Sequence, residues 1–191
     1  MNTAYIIDAA RTPRGIGKPG KGALVGMHPQ HLLSTVLKAL AERNNLKTDE
    51  VDDVIMGCSM QQGLQDNDIA RMAAMDAGWS VKASGVTIDR FCGSGISSVN
   101  MAAASIMSGM EDLVVAGGVE MMSRTPMFAD KGALFVDPDV AASAAFVHPI
   151  LGADLVASLH DISRADCDAY AATSQQRAEA ARARGAFKSI V

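Results

Sequence analysis

Over the first 118 residues, short apolar runs alternate with segments of helical period, and this alternation constrains the fold more than any other feature. The runs are residues 4–8 (AYIID), 51–56, 86–89 and 113–116, each bounded by turn-forming residues, and each reads as a strand. Between them, Pro29 sits where a first helical turn begins, and Leu32, Leu33, Val36 and Leu40 mark an amphipathic helix ending near Asn45. A second helix opens on Asn67 or Asp68 as its cap, runs through Ala77 and stops at Gly78. A third spans residues 96–108 and closes on Gly109, and Gly117-Gly118 then stops the fourth strand. Crossovers of this length favour parallel pairing, so the expected fold class is α/β, a layered sheet. The third helix, ISSVNMAAASIM, is small or apolar on most faces and is expected to be buried inside the protein.

Composition supports this reading and narrows the function. The chain is 49% hydrophobic but only 4% aromatic, which favours α/β over an all-β sandwich built on aromatic and β-branched residues. Seventeen basic against twenty-one acidic residues give a net charge of −4, which argues against a general nucleic-acid binder. No apolar run reaches transmembrane length, and the N-terminus lacks the basic and apolar regions of a signal peptide. Cys58, Cys92 and Cys167 are widely spaced and odd in number, with no CxxC metal pair and no disulfide framework. No metal is expected, and a cytoplasmic location is the simplest expectation.

The alternation ends after Glu120. Residues 121–149 carry loops and small residues without a clean period, and a short helical stretch follows at 153–160. Ser163-Arg-Ala-Asp166 is an S-x-x-D capping box opening a long helix to Arg184, with Gly185 as its stop.

The strongest chemical signal is Thr87-Ile-Asp-Arg-Phe-Cys92-Gly-Ser-Gly95. It places a cysteine between a strand end and a helix start, where backbone N–H groups and the helix dipole favour a thiolate. Gly93 and Gly95 allow close approach of a substrate, and the same N–H groups suit an oxyanion formed on a carbonyl. The local residues fit a nucleophile, and equally a buried structural cysteine beside a tight turn. Gly15-Ile-Gly17-Lys-Pro-Gly20 matches G-x-G-x-x-G, but Pro19 interrupts it and no helix opens on it, so a flexible loop is expected. His28 and His31 flank Pro29, where capping and solvation explain them, and His148 reads as an ordinary loop histidine. Asp49, Glu50, Asp52 and Asp53 read as a solvated turn. Met72, Met75, Met101 and Met107 read as core, and Cys58 and Cys167 as structural.

Taken together, these motifs resemble the N-terminal half of the thiolase family. The likeness runs from Ala9-Ala-Arg-Thr-Pro13 through Gly57, Gly63, Asn67 and Ala70-Arg71 to Cys92-Gly-Ser-Gly95. It continues in Ala116-Gly-Gly-Val-Glu120, Met122-Ser123, Ile162-Ser-Arg-Ala-Asp166, Tyr170-Ala171, Ser174-Gln-Gln-Arg177 and Gly185-Ala-Phe187. No single motif is specific; their order over nearly all 191 residues is. The resemblance implies acyl transfer between coenzyme A thioesters, as thiolysis of a 3-ketoacyl-CoA or its reverse condensation. Cys92 falls on the family's acyl-accepting nucleophile. Coenzyme A enters as a substrate, no covalently bound cofactor is implied, and the intact family member is a homodimer or homotetramer.

The resemblance also implies a thiolase-like α/β domain over residues 1–120, incomplete for want of a returning strand, and the beginning of a loop domain over 121–191. Asp89 stands where the family has Asn, three residues before Cys92, and pairing with Arg90 is a way to offset its charge. The family's further catalytic groups, a His in an Asn-Glu-Ala-His-Phe type motif, a Gly-His-Pro and a Cys-x-Gly, do not occur in these 191 residues. This chain by itself is therefore expected to be inactive. The alternative is a non-catalytic thiolase-like module that binds CoA or a partner. A ketoacyl-synthase-type condensing enzyme fits less well, because the Ala-Gly-Gly-Val-Glu and Gln-Gln-Arg motifs point to thiolase.

Overall fold

A computed structural model describes residues 2–191. The chain divides into two compact units, residues 2–130 with Ser189–Val191, and Lys131–Lys188.

The first unit is organised on a three-stranded parallel sheet. β1 (Asp53–Gly57) lies in the middle, flanked by β2 (Val86–Ile88) and β3 (Val114–Gly118). Ile55 pairs with Val86 on one side and Ala116 on the other, so all three strands end at the same level. The strand expected to stop before Gly117-Gly118 instead runs through both glycines, which stand in register with Met56 and Gly57.

Helices cover both faces of this sheet. α1 (Pro29–Asn44) and α2 (Ile69–Asp76) place Leu33, Leu37, Ile69, Ala70 and Ala73 against Val54 and Met56, forming the main core. α1 starts as its sequence dictates: Pro29 occupies the first turn, His28 Nδ1 accepts from the Gln30 amide at 3.2 Å, and Asn45 ends it in the left-handed conformation. Asp68 flanks α2 without capping it; its carboxylate instead accepts from the Thr87 hydroxyl of β2 at 2.6 Å. His31 Nδ1 and the Ser34 hydroxyl meet the Asp76 carboxylate at 2.8 and 2.5 Å, tying α1 to the end of α2 and lowering the Asp76 pKa.

α3 (Ser94–Ser108) packs on the opposite face, against β1 and β3. A Cβ on Gly57 would lie 2.5 Å from the Ser94 carbonyl carbon and 2.7 Å from the Gly95 nitrogen, so only glycine admits the helix at this height. The expectation of a buried helix is corrected. Ser94, Ser97, Ser98 and Ala102 are buried, but Ile96 is 71% exposed, and Val99, Met101 and Met107 are exposed as well. The helix is apolar all round but is covered on one side only. Met72 and Met75 also stand exposed on α2 and are not core.

Residues 4–8 form no strand, contrary to the sequence reading: Tyr5 is 81% and Ile6 86% exposed. An apolar run becomes a strand only when a neighbouring backbone takes its hydrogen bonds, and among the described residues none is paired with this one. The chain end does return to this unit. The Arg11 amide donates to the Ser189 carbonyl at 2.8 Å and the Val191 amide to the Arg11 carbonyl at 3.0 Å.

The second unit is helical: α4 (Ala133–Val136), α5 (Pro138–Ser143), α6 (Pro149–Leu159) and α7 (Arg164–Ala183). α4 and α5 had no sequence signal, whereas the capping box at α7 is formed, with the Asp166 amide donating to the Ser163 hydroxyl and the Ser163 amide to the Asp166 carboxylate. Among the described residues no helix is long and apolar enough to cross a membrane.

Two predictions follow from the packing of the first unit. Gly57→Ala forces a methyl into the backbone of α3 and is expected to cost about 1–3 kcal/mol in urea unfolding. Gly95→Ala, where an added methyl meets nothing within 4 Å, is expected to leave stability unchanged or raise it; equal losses for the two would contradict the packing. Asp52, read as part of a solvated turn, instead accepts from the Asp112 and Leu113 amides at 2.8 and 3.0 Å, and these bonds lower its pKa. A lowered native pKa stabilises the fold above the unfolded-state value of about 4, and that stability is lost as pH falls through the native value. Asp52→Asn is therefore expected to lower the unfolding midpoint at neutral pH, with the gap to the parent closing in acid. A gap unchanged by acid would sink this assignment.

Candidate active site

The chemistry-bearing residues gather at the C-terminal ends of the three strands, where a parallel sheet leaves its crevice. β2 ends at Ile88 and the chain turns through residues 89–93 before entering α3. The Asp89 carboxylate accepts from the Phe91 amide at 2.7 Å, so its bond goes to backbone and not to Arg90 as anticipated. The Ser94 hydroxyl donates to the Phe91 carbonyl at 2.6 Å and accepts from the Arg90 amide at 2.8 Å. These three bonds hold Phe91 at φ 48°, a conformation that a bulky residue adopts only when its surroundings fix it.

Cys92 follows Phe91 and is exposed. Gly93 and Ser94 spend their amides inside the turn, on the Arg90 and Phe91 carbonyls at 3.0 and 3.1 Å. α3 has no side-chain cap, and among the described residues no hydrogen bond is made by the Cys92, Gly95 or Ile96 amides. The Ser98 hydroxyl, fully buried, lies 2.7 Å from both the Gly95 and Gly117 carbonyls and ties this end of α3 to β3.

Sequence reasoning missed a second feature, a buried polar junction between the ends of β1 and β3. Gln65 is fully buried, and its amide donates to the Met60 carbonyl at 2.9 Å and the Glu120 carboxylate at 2.6 Å, while its oxygen accepts from the Met121 amide at 2.6 Å. Glu120 also accepts from the Ser59 amide at 2.8 Å. The available signal was Glu120, two residues after the glycine-ended strand β3; Gln65 itself carried none. Cys58 lies beside this junction, with its sulfur 3.4 Å from the Gln65 amide. Burial, with the charges of Glu120 and Asp89 adding to it, pushes the Cys58 thiol up to about 12, so this cysteine stays protonated and inert.

The remaining candidates lie elsewhere. Residues 15–20 form an irregular loop that opens no helix. His28 caps α1, His31 pairs with Asp76, and His148 caps α6 through the Ile150 amide at 3.3 Å. Cys167 is exposed in the first turns of α7. Among the described residues no group of three His, Cys, Asp or Glu side chains is placed to hold a metal ion.

Comparison with known proteins gives this geometry a family. Residues 4–191 match the model of the thiolase N-terminal domain. The chain is 39% identical to a beta-ketoadipyl-CoA thiolase of Pseudomonas putida, over 98% of this chain and 50% of that protein. It is 37% identical to a steroid 3-ketoacyl-CoA thiolase of Mycobacterium tuberculosis, over 100% of this chain and 49% of that protein. Among solved structures, an acetyl-CoA acetyltransferase of Bacillus anthracis superposes with a TM-score of 0.60 at 39% identity, covering 65% of this chain and 30% of that one. The chain spans about half the length of the curated relatives it matches. The α/β sheet, the turn into α3 and these matches together place the chain in the thiolase family, as a form of its N-terminal domain.

Proposed function

We propose that this chain carries the acyl-accepting half of a thiolase-type transfer between coenzyme A thioesters, with Cys92 as the nucleophile. The observation that supports it is the placement of Cys92: exposed, in a turn fixed by Ser94 and Asp89, at the uncapped start of α3. In the proposed step the Cys92 thiolate attacks the ketone carbonyl of a 3-ketoacyl-CoA, forming a carbon–sulfur bond, and the carbonyl electron pair moves onto oxygen. The Gly95 and Ile96 amides are suited to donate to that oxyanion. Collapse breaks the bond between the α and β carbons, leaving the acyl group on sulfur. The departing acetyl-CoA enolate then takes a proton. Free coenzyme A attacks the enzyme thioester, its thiol proton goes to a base, and Cys92 leaves as thiolate.

Two of these proton transfers need an acid or base near Cys92. The histidines whose bonds are described serve α1, α2 and α6, and the family's histidine motifs do not occur in the sequence. The proposal therefore includes inactivity of this chain when alone. Those same observations favour a second reading, a non-catalytic module that holds a CoA thioester or a partner and turns nothing over.

With acetoacetyl-CoA and coenzyme A, the purified chain is expected to show no thiolysis above the uncatalysed rate, followed by loss of enolate absorbance. Turnover by the chain alone that disappears in Cys92→Ala would overturn the inactivity. Iodoacetamide labelling read by peptide mass mapping tests the nucleophile separately. Cys92 is expected to react first and Cys58 last, with Cys58 slower by roughly tenfold or more because it is buried and protonated. Equal rates for Cys92 and Cys167 would remove the claim that the turn activates Cys92.

A further inference from the structure

A pocket of about 190 Å³ lies between the turn that carries Cys92 and one stripe of α3. Ser97, Asn100, Met101 and Ala104 line it at helical spacing, and Arg90 borders it from the turn. The Arg90 backbone is fixed, because its amide donates to the Ser94 hydroxyl at 2.8 Å and its carbonyl accepts from the Gly93 amide at 3.0 Å. Cys92 follows two residues later, within about 7 Å of extended backbone.

The polar side chains of this pocket are unspent. Among the described residues, the Arg90 guanidinium makes no ion pair or hydrogen bond, and neither does the Asn100 carboxamide. Ser97 is only 9% exposed, yet its hydroxyl has no partner there either; its amide alone is bonded, to the Gly93 carbonyl at 3.0 Å. Buried side-chain polar atoms are ordinarily paired, so an unpartnered hydroxyl at this depth, in the wall of a pocket, marks a place for a ligand atom. No acidic residue lines the pocket to neutralise Arg90. Asp89, the nearest acid in sequence, spends its carboxylate on the Phe91 amide.

A guanidinium is a planar fork of donors, and the hydroxyl and carboxamide add neutral donors beside it. One positive charge with planar donors fits a carboxylate, whose two oxygens accept in parallel; a phosphate dianion would keep an unbalanced charge. Met101 and Ala104 give the pocket an apolar side against which methylene groups pack. We propose that Arg90, with Ser97 and Asn100, holds the terminal carboxylate of the acyl chain carried on Cys92, so that the site selects acyl groups ending in a carboxylate; this rests on Cys92 as the acyl acceptor. The short separation of Arg90 from Cys92 suits a chain of few carbons. The bonds formed and broken at sulfur are those of the transfer already described, and Arg90 exchanges no proton.

Glutaryl-CoA and pentanoyl-CoA have acyl chains of equal length and differ in the terminal carboxylate alone, so together they test the selection on the full chain. Acylation of Cys92 is timed by acid quench and peptide mapping. Glutaryl is expected to load faster than pentanoyl by roughly tenfold or more, and this ratio is expected to fall toward one in Arg90→Gln and to drop in Asn100→Leu, whose exposed position spares the fold. A second measurement does not depend on the thiol. In the Cys92→Ala chain, monomethyl glutarate is expected to shift the Asn100 side-chain amide resonances saturably, methyl pentanoate to leave them in place, and inorganic phosphate to act more weakly. Equal loading by the two donors, a ratio unchanged in both variants, no saturable shift, or an equal shift with phosphate would each overturn the carboxylate site while leaving Cys92 as the acceptor. No loading from either donor would overturn Cys92 as the acceptor, and the selection with it.

Discussion

The approach of α3 to the sheet at Gly57 is the contact on which the rest of the site depends. A side chain there would collide with the Ser94 and Gly95 backbone, so the helix start is seated directly on β1 only because no Cβ intervenes. Gly118 repeats the condition on the neighbouring strand, where an added Cβ would fall 2.7 Å from the Gly57 carbonyl oxygen. With α3 held that low, the turn from β2 is short, Phe91 is forced to positive φ, and Cys92 emerges at the mouth of the helix. α3 begins without a side-chain cap there, where the helix dipole favours negative charge. Packing geometry and site chemistry are one constraint.

The two cysteines near the strand ends show how environment separates equal side chains. Cys58 follows β1 inside the core beside the Gln65–Glu120 junction, where burial and two carboxylates oppose ionisation. Cys92 ends the turn after β2 and meets solvent. The junction beside Cys58 joins the buried Gln65 to the exposed carboxylate of Glu120 and ties the loop after β1 to the end of β3.

Much of the architecture was legible in the sequence because its determinants are local. Pro29 after His28 announced α1, Ser163 with Asp166 announced α7, and the alternation to Gly118 announced parallel strands. The position of Cys92 between strand and helix was legible for the same reason. What was misread depends on distant partners. Residues 4–8 have strand chemistry, but hydrogen-bond pairing is a property of two segments, and the neighbouring place is empty. The apolar surface of α3 signalled burial, yet burial needs a covering element, and only the sheet side has one. Gly117 and Gly118 read as a stop, whereas register with Met56 and Gly57 makes them strand. Gln65 and Glu120 meet across 55 positions of sequence, a separation that no local pattern encodes.

The central claim is that the seating of α3 makes Cys92 the acyl acceptor of this chain, and covalent trapping addresses it most directly. Incubation with acetyl-CoA at mildly alkaline pH, acid quench and peptide mapping locates any thioester formed by exchange of the acetyl group onto a cysteine. The account predicts acetyl on Cys92, little or none on Cys58 or Cys167, and its removal when free coenzyme A is added before the quench. Acetyl distributed equally between Cys92 and Cys167, or absent from Cys92 while present elsewhere, would contradict it.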